Sequence, residues 1–226
     1  MNTFLLGGAG GIGQEIQALF IEKGHTVVAP TSKELDLNCP NSIENYLRSR
    51  ELSYTSFDSF IHVAGYNVVN DFENLADEDI HRSLQVNVLG FLSTVRPFLS
   101  AFANNKTGHV LVFSSLYSML ARCGRLPYVI SKHALNGVVK TLALEYGPSN
   151  VLINGIAPGF VNTPMTRRNN DAEAFSRIVF NIPLGRMATP REIATLAHFL
   201  CSSENTYMTG QVVTIDGGYS VGGFQR

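Results

Sequence analysis

The stretch Thr3-Phe4-Leu5-Leu6-Gly7-Gly8-Ala9-Gly10-Gly11-Ile12-Gly13-Gln14 decides the fold: an apolar run passes straight into five glycines within seven residues, and a helical pattern opens behind them. Glycine tolerates positive φ and lets backbone N–H groups come close to a bound group, and the first turn of a helix offers such N–H groups at the positive end of its dipole. A ligand-free turn needs fewer glycines. The placement points to a seat for the pyrophosphate of a dinucleotide, in one of two registers. Gly8, Gly10 and Gly13 satisfy G-x-G-x-x-G, while Gly7, Gly11 and Gly13 satisfy G-x-x-x-G-x-G.

Working outward, short apolar runs recur at residues 3–6, 26–29, 59–63, 109–113, 151–156 and 211–215. They are near-continuous rather than alternating, the pattern of parallel strands covered on both faces. Between them lie amphipathic stretches over 14–23, from Pro40 to about 50, and onward from Pro190, which stands at a first helical position. The alternation predicts an α/β fold of the Rossmann type, a doubly wound parallel sheet with helices on both faces in a three-layer αβα sandwich. No repeat, linker or shift in composition divides the chain, so residues 1–226 read as one NAD(P)-binding domain.

Composition narrows the partners. Seventeen basic and 18 acidic residues leave a formal charge of −1, which gives no general field for nucleic acid or an anionic membrane. Cys39, Cys123 and Cys201 are odd in number, far apart and without a C-x-x-C pair, against a disulfide framework or a zinc site, so no metal is expected. No basic segment precedes the first apolar run, and no run reaches the roughly 20 apolar residues of a membrane span. A cytoplasmic, soluble protein is expected.

At the end of the second apolar run stands Ala29-Pro30-Thr31-Ser32-Lys33. A site for NAD usually places an acid here to hold the ribose 2′-hydroxyl. Ser32 and Lys33 instead suit a 2′-phosphate, favouring NADP(H) over NAD(H). Glu34 would take the ribose role if the strand ran longer.

Tyr128-Val129-Ile130-Ser131-Lys132 opens an amphipathic segment, so Tyr128 and Lys132 share a helix face. Bringing a phenol from about 10 towards neutral takes roughly 4 kcal/mol, and one ammonium about 4 Å away supplies an interaction of that order at an effective dielectric of about 20. Tyr128 then serves as general acid to a carbonyl, or as base to an alcohol. Spacing by itself is weak evidence, since about 0.2 such pairs arise by chance in this composition.

With the neighbouring motifs the chain resembles the short-chain dehydrogenase/reductase family, in its compact single-domain branch, along nearly its whole length. The pieces stand in family order: Gly7-x-x-x-Gly11-x-Gly13, Ala64-Gly65, Val86-Asn87-Val88-x-Gly90, Ser114-Ser115, Tyr128-x-x-x-Lys132, Pro158-Gly159 and Asp216-Gly217-Gly218. The resemblance implies that Ser115 positions the substrate carbonyl and that Ser114 is structural. Lys132 would also grip the nicotinamide ribose, and Asn87 would hold a water linking Lys132 to solvent. A plain helix-kink hydrogen bond is the other reading of Asn87. Gly7, Gly11, Ile12 and Gly13 would cradle the cofactor. Asp36 and Leu37 would contact its adenine, although an aspartate there also suits a turn cap. Ala64, Gly65, Pro158, Gly159, Val161 and Thr163 would pack around the nicotinamide end.

Departures are Leu6, where the family has threonine, and His62-Val63, where it has two asparagines; His62 reads as a strand-end structural residue. The segment 164–183 is a candidate substrate lid, and its Arg167-Arg168 pair, with Arg122 and Arg125, either attracts an acidic substrate or is solvated loop charge. The C-terminal run resembles that of 3-oxoacyl thioester reductases and their sugar- and polyol-acting relatives. The expected substrate is a small carbonyl compound or alcohol. A homodimer or homotetramer is expected, formed in this family through helices here near 77–104 and 128–146. Two other functions compete: a sugar-nucleotide epimerase or dehydratase, disfavoured by the short chain, and a non-catalytic redox sensor, disfavoured by the full set Asn87, Ser115, Tyr128 and Lys132.

Overall fold

A computed structural model describes residues 1–49, 53–168 and 171–222. Six parallel strands form one sheet in the order β2-β1-β3-β4-β5-β6: β1 (Asn2–Leu6), β2 (Thr26–Val28), β3 (Ser59–His62), β4 (Gly108–Phe113), β5 (Val151–Pro158) and β6 (Val212–Ile215). The chain winds outward from β1 to β2, then returns to add β3 on the other side of β1. That reversal leaves a crevice at the carboxyl ends of β1 and β3, where open α/β sheets bind ligands.

Both faces of the strands are buried, which explains the near-continuous apolar runs. Phe4, Phe60, Val110 and Val112 point into one layer, and Leu5, Ile61 and Leu111 into the other, in alternation along each strand. The second layer is covered by α1 (Gly11–Glu22) and α8 (Pro190–Leu200), through Ile16, Leu19, Phe20, Ile193 and Ala197. Arg191 ties these helices at their edge, reaching Glu15 at 3.2 Å and Glu22 at 2.6 Å. Pro190 is a first-turn residue as expected, behind a capping box in which Thr189 and Glu192 satisfy each other's backbone. The opposite layer is covered by α2 (Pro40–Ser49), by a long helix, and by α5 (Leu126–Tyr146).

The long helix is interrupted. Its first part, α3 (Asp77–Leu84), passes through a π-helical turn over Gln85–Leu89 into α4 (Gly90–Asn105). Contrary to the expectation from composition, the helical run Asp77–Asn105 has an 18-residue window apolar enough for a membrane span, with mean hydropathy 1.3. Its apolar side is taken by the sheet: Phe91, Val95, Phe98 and Phe102 are sealed against β1, β3 and β4. This is a core helix.

Two boundaries differ from the sequence reading. Helix α1 starts at Gly11 rather than at Gln14, because the last glycines are helical residues and only Gly7 takes positive φ, at 90°. The segment 164–183 contains α6 (Pro164–Arg168) and α7 (Ala172–Phe180), the latter capped by the Asp171 carboxylate accepting from the Ala174 N–H.

Phe98 is fully buried, with ring centroids of Phe4, Tyr54, Phe57, Phe60 and Phe102 between 4.8 and 6.4 Å away. Phe98→Ala is expected to cost about 3–5 kcal/mol of unfolding free energy in a urea titration. A loss below about 1 kcal/mol would mean that this aromatic layer is not what holds α4 to the sheet.

Candidate active site

The glycine turn fits a register built on Gly7 and Gly13. A Cβ on Gly13 would stand 2.1 Å from the Gly7 carbonyl oxygen, and one on Gly7 would stand 2.5 Å from the Ala64 nitrogen. Gly11 faces Thr163 at 3.1 Å, whereas at Gly10 the nearest atom is at an ordinary 3.5 Å. Gly8 is also tight, at 2.9 Å from Ala29 Cβ, but this contact is with the neighbouring strand's side chain. Helix α1 has no side-chain cap and no acid in its first turn. Its opening N–H groups thus suit an anion such as a pyrophosphate.

In front of this turn lies a cleft of about 190 Å3, walled by Gly7, Gly11, Ile12, Gly13, Gly65, Ser115, Tyr128, Lys132, Pro158, Gly159, Val161 and Thr163. Residues from the ends of β1, β3, β4 and β5 and from α5 thus converge. The cleft also takes in Asn67, Phe113 and Thr166, which sequence spacing had not signalled. Ala64 stands behind it as the backbone against which Gly7 packs.

Helix α5 is pinned to the end of β4. Lys132 Nζ donates to the Phe113 carbonyl at 2.6 Å, and Ser114 Oγ donates to Asn136 Oδ1 at 2.7 Å. Ser114 is therefore occupied structurally. Ser115 is extended, its hydroxyl accepting from the Tyr117 N–H at 3.1 Å and facing the Tyr128 phenol. Burial raises the Tyr128 pKa above its ordinary value, while Ser115 and then Arg125 favour the ionised form.

Arg125 stands three residues before the phenol whose ionised form it favours. Lys132 keeps its ammonium 5.3 Å from the Tyr128 ring centroid, on the Phe113 carbonyl. Burial lowers Lys132 to about 7, so it exchanges a proton near neutrality. Helical spacing was the available signal for Arg125, which stands at the head of α5 one turn ahead of Tyr128.

Asn87 sits in the π-helical turn, fully buried and outside the cleft lining. Its Oδ1 accepts from the Tyr66 N–H at 2.7 Å, and its Nδ2 donates to the Tyr66 carbonyl at 3.0 Å and to Ser131 Oγ at 2.8 Å. These bonds tie the turn to the loop after β3 and to α5; a water held here would share Asn87 with those partners. The Asn87 carbonyl lies 3.1 Å from His62 Nε2. His62 is sealed and stacked on Phe91, and burial, then Lys132, lowers it to about 3, which keeps it neutral. It occupies the strand end structurally, as expected.

The adenine end is looser. Ser32 and Lys33 are exposed in the turn after β2 and stand apart from the cleft lining. The Glu34 carboxylate accepts from the Thr31 N–H at 2.9 Å and from its hydroxyl at 3.1 Å, which commits it to the turn. Asp36 accepts from the Asn38 N–H at 2.9 Å, the geometry of a turn cap. Leu37 is buried in the core beside Gly90. Asp36 and Leu37 therefore have structural occupations that their motif did not reveal. Arg167 donates to Asn162 Oδ1 at 2.9 Å, and the Arg168 side chain lies outside the described residues.

The chain is matched by known proteins. A family model described as Enoyl-(Acyl carrier protein) reductase covers residues 18–220. The 3-oxoacyl-[acyl-carrier-protein] reductase FabG of Thermotoga maritima is 29% identical over 235 residues, 95% of each chain. Among solved structures, 4-hydroxyisoleucine dehydrogenase complexed with NADH superimposes with a TM-score of 0.91 at 27% identity, covering 98% of this chain and 99% of that one. ElxO with NADP bound shares the fold, with a TM-score of 0.89 at 21% identity over 97% and 98% of the two chains.

The crowding at Gly13 and the room at Gly10 are testable by substitution. Gly10→Ala is expected to stay within about 1 kcal/mol of the parent, the cost of an alanine at a helix cap. Gly13→Ala is expected to lose about 1–3 kcal/mol or more, together with stabilisation by dinucleotide, in thermal melts with and without cofactor. Equal effects would contradict the Gly7–Gly13 lock.

Proposed function

Because the chain belongs to the short-chain dehydrogenase/reductase family and is an NAD(P)-dependent oxidoreductase, we propose that Tyr128 is the acid–base group that protonates a substrate carbonyl, or deprotonates the matching secondary alcohol. The observation that carries this reading is the Tyr128 phenol, half-buried in the cleft against Ser115, in front of the glycine turn.

When bound, the nicotinamide supplies or accepts hydride at the substrate carbon. Ser115 orients the carbonyl oxygen towards the phenol, and its hydroxyl steadies the negative charge that develops there. Tyr128, its pKa raised by desolvation, keeps its proton until that charge appears, as a general acid requires. Lys132, poised near 7, returns the proton to the phenol and holds the nicotinamide ribose; Asn87 fixes the kink on which Ser131 and Lys132 rest. Gly7, Gly11, Ile12 and Gly13 seat the pyrophosphate, and Ala64, Gly65, Pro158, Gly159, Val161 and Thr163 enclose the nicotinamide end. The substrate is a small carbonyl compound, bound under the segment 164–183.

For the cofactor the proposal is NADP(H) over NAD(H). Glu34 is engaged by Thr31, and Lys33 stands exposed in that turn, suited to a 2′-phosphate. Asp36 and Leu37 border the adenine through backbone rather than through their occupied side chains. The protein assembles as a homodimer or homotetramer through α4 and α5, where Leu126, Ile130 and Leu144 leave an apolar strip exposed.

Tyr128→Phe is expected to lower turnover of any accepted carbonyl by about 10²–10⁴-fold while thermal stabilisation by cofactor persists. Retention of most of the turnover would remove Tyr128 from the mechanism. At equal concentration NADPH is expected to raise the melting temperature more than NADH, and Lys33→Glu to reverse the order. Stronger protection of the parent by NADH would overturn the cofactor preference.

A further inference from the structure

Next to the cleft a second cavity opens, of about 300 Å3, between the strip leading into α5, helix α7 and the C-terminal turn. A single layer of residues parts the two spaces. Gly159 and Val161 line the cleft, and Phe160 between them lines the cavity. Ser115 and Tyr128 line the cleft, whereas Tyr117 lines the cavity; its N–H donates to Ser115 Oγ at 3.1 Å and its ring stands edge-on to the Tyr128 ring at 6.5 Å. A ligand held by Ser115 and Tyr128 therefore has this space beside it. Its apolar surface is built from Leu120 and Ile178 and from Phe160 and Tyr219, whose rings meet edge to face at 5.2 Å.

The charged side chains that line the cavity, Arg122 and Arg177, are both cationic. Arg122 is open to solvent, and its Nη1 donates to the Tyr117 hydroxyl at 3.0 Å, which ties the guanidinium to the residue that abuts Tyr128. Among the described residues no carboxylate pairs with Arg122. Arg177, on the α7 wall, has Glu173 at 3.6 Å, an exposed pair that water screens. A guanidinium carries five N–H donors in a planar fork, so the bond to Tyr117 leaves Arg122 able to grip a carboxylate. An apolar pocket with a few placed polar groups is also how sites for small ligands are built. Since Arg177 is shared with Glu173, the unmatched charge here is that of Arg122; it suits a carboxylate better than a phosphate monoester of about −1.5 to −2.

We propose that Arg122, supported by Arg177, binds a carboxylate at the far end of the substrate, so that the substrates are long-chain oxo acids and the corresponding hydroxy acids. This rests on the reading of Tyr128 as the acid–base residue. The 6.5 Å from the Tyr128 ring to the Tyr117 ring, with Arg122 on the Tyr117 hydroxyl, sets the spacing. At roughly 1.5 Å per bond, the carboxylate carbon stands about four or five bonds from the reacting carbonyl carbon. The chain between them lies against Leu120, Phe160, Ile178 and Tyr219. In reduction the carbonyl carbon gains a hydride, with its two electrons, from the reduced nicotinamide, which is thereby oxidised. The carbonyl oxygen takes the Tyr128 proton, and the carboxylate is unchanged.

Two measurements test this. In the first, 5-oxohexanoate and 6-oxoheptanoate are compared with their methyl esters in the reductive direction. At least one acid is expected to exceed its ester in kcat/KM by about fivefold or more, as a charged pair at a half-open site allows. Arg122→Gln should collapse that ratio mainly through KM, and Arg122→Lys should restore part of it. Tyr117→Phe, which frees the guanidinium from its tether, should lower the ratio less than Arg122→Gln does. Equal preference for acid and ester in the parent, or equal losses on both in Arg122→Gln, would overturn the subsite.

The second measurement needs no turnover: each oxo acid, its methyl ester, or sodium acetate is added at one concentration to the complex with oxidised cofactor, which has no hydride to give, and melting is followed. At least one oxo acid should raise the melting temperature of the parent more than its ester does, and Arg122→Gln should erase the difference. No shift with either acid, or an equal shift with acetate, overturns the proposal whatever the activity. Tyr128-dependent reduction of neutral ketones without any preference for acids would do the same, and would leave the acid–base role of Tyr128 standing. Protection by an oxo acid that depends on Arg122, with activity indifferent to Tyr128→Phe, would sustain the carboxylate site and remove the acid–base assignment.

Discussion

The hydrogen bond from Lys132 Nζ to the Phe113 carbonyl, 2.6 Å long and sealed from water, is the joint on which the site depends. It binds the last residue of β4 to the second turn of α5. Ser115 extends from that same strand end, and Tyr128 rides one turn earlier on that same helix. The phenol and the hydroxyl face each other because strand and helix are clamped one turn away. A charge-assisted bond in a dry setting is stronger than its solvated counterpart, and cutting it would leave both a carbonyl and an amine buried without partners.

The clamp also bears on Lys132. Burial lowers its pKa to about 7, so the strand and helix are joined through an amine that desolvation makes easier to deprotonate.

The sheet was legible because burial on both faces writes apolar residues at successive positions, as in Phe60-Ile61 and Val110-Leu111-Val112. The glycine turn was legible as a seat but not in register. The choice between Gly10 and Gly11 depends on Thr163, far away in the chain. The roles of Asp36 and Arg125 were hidden for the same kind of reason. A turn cap and a free carboxylate have one spelling, and so do a solvated arginine and a buried one. Only the positions of Asn38 in one case, and of Tyr117, Arg122 and Tyr128 in the other, tell them apart. Glu34 likewise reads as available until Thr31 is seen to hold it.

The π-helical turn at Gln85–Leu89 acts as a phase shifter. One surplus residue in a helix rotates everything after it by about 100° relative to what came before. Within it, Asn87 is turned towards Tyr66 and Ser131; downstream, Phe91, Val95, Phe98 and Phe102 are turned into the sheet. An uninterrupted helix would have to surrender one of these alignments. The two parts of this helix answer to different neighbours, and a change in length within those five residues would reach the core and the site together, whichever residue it removed.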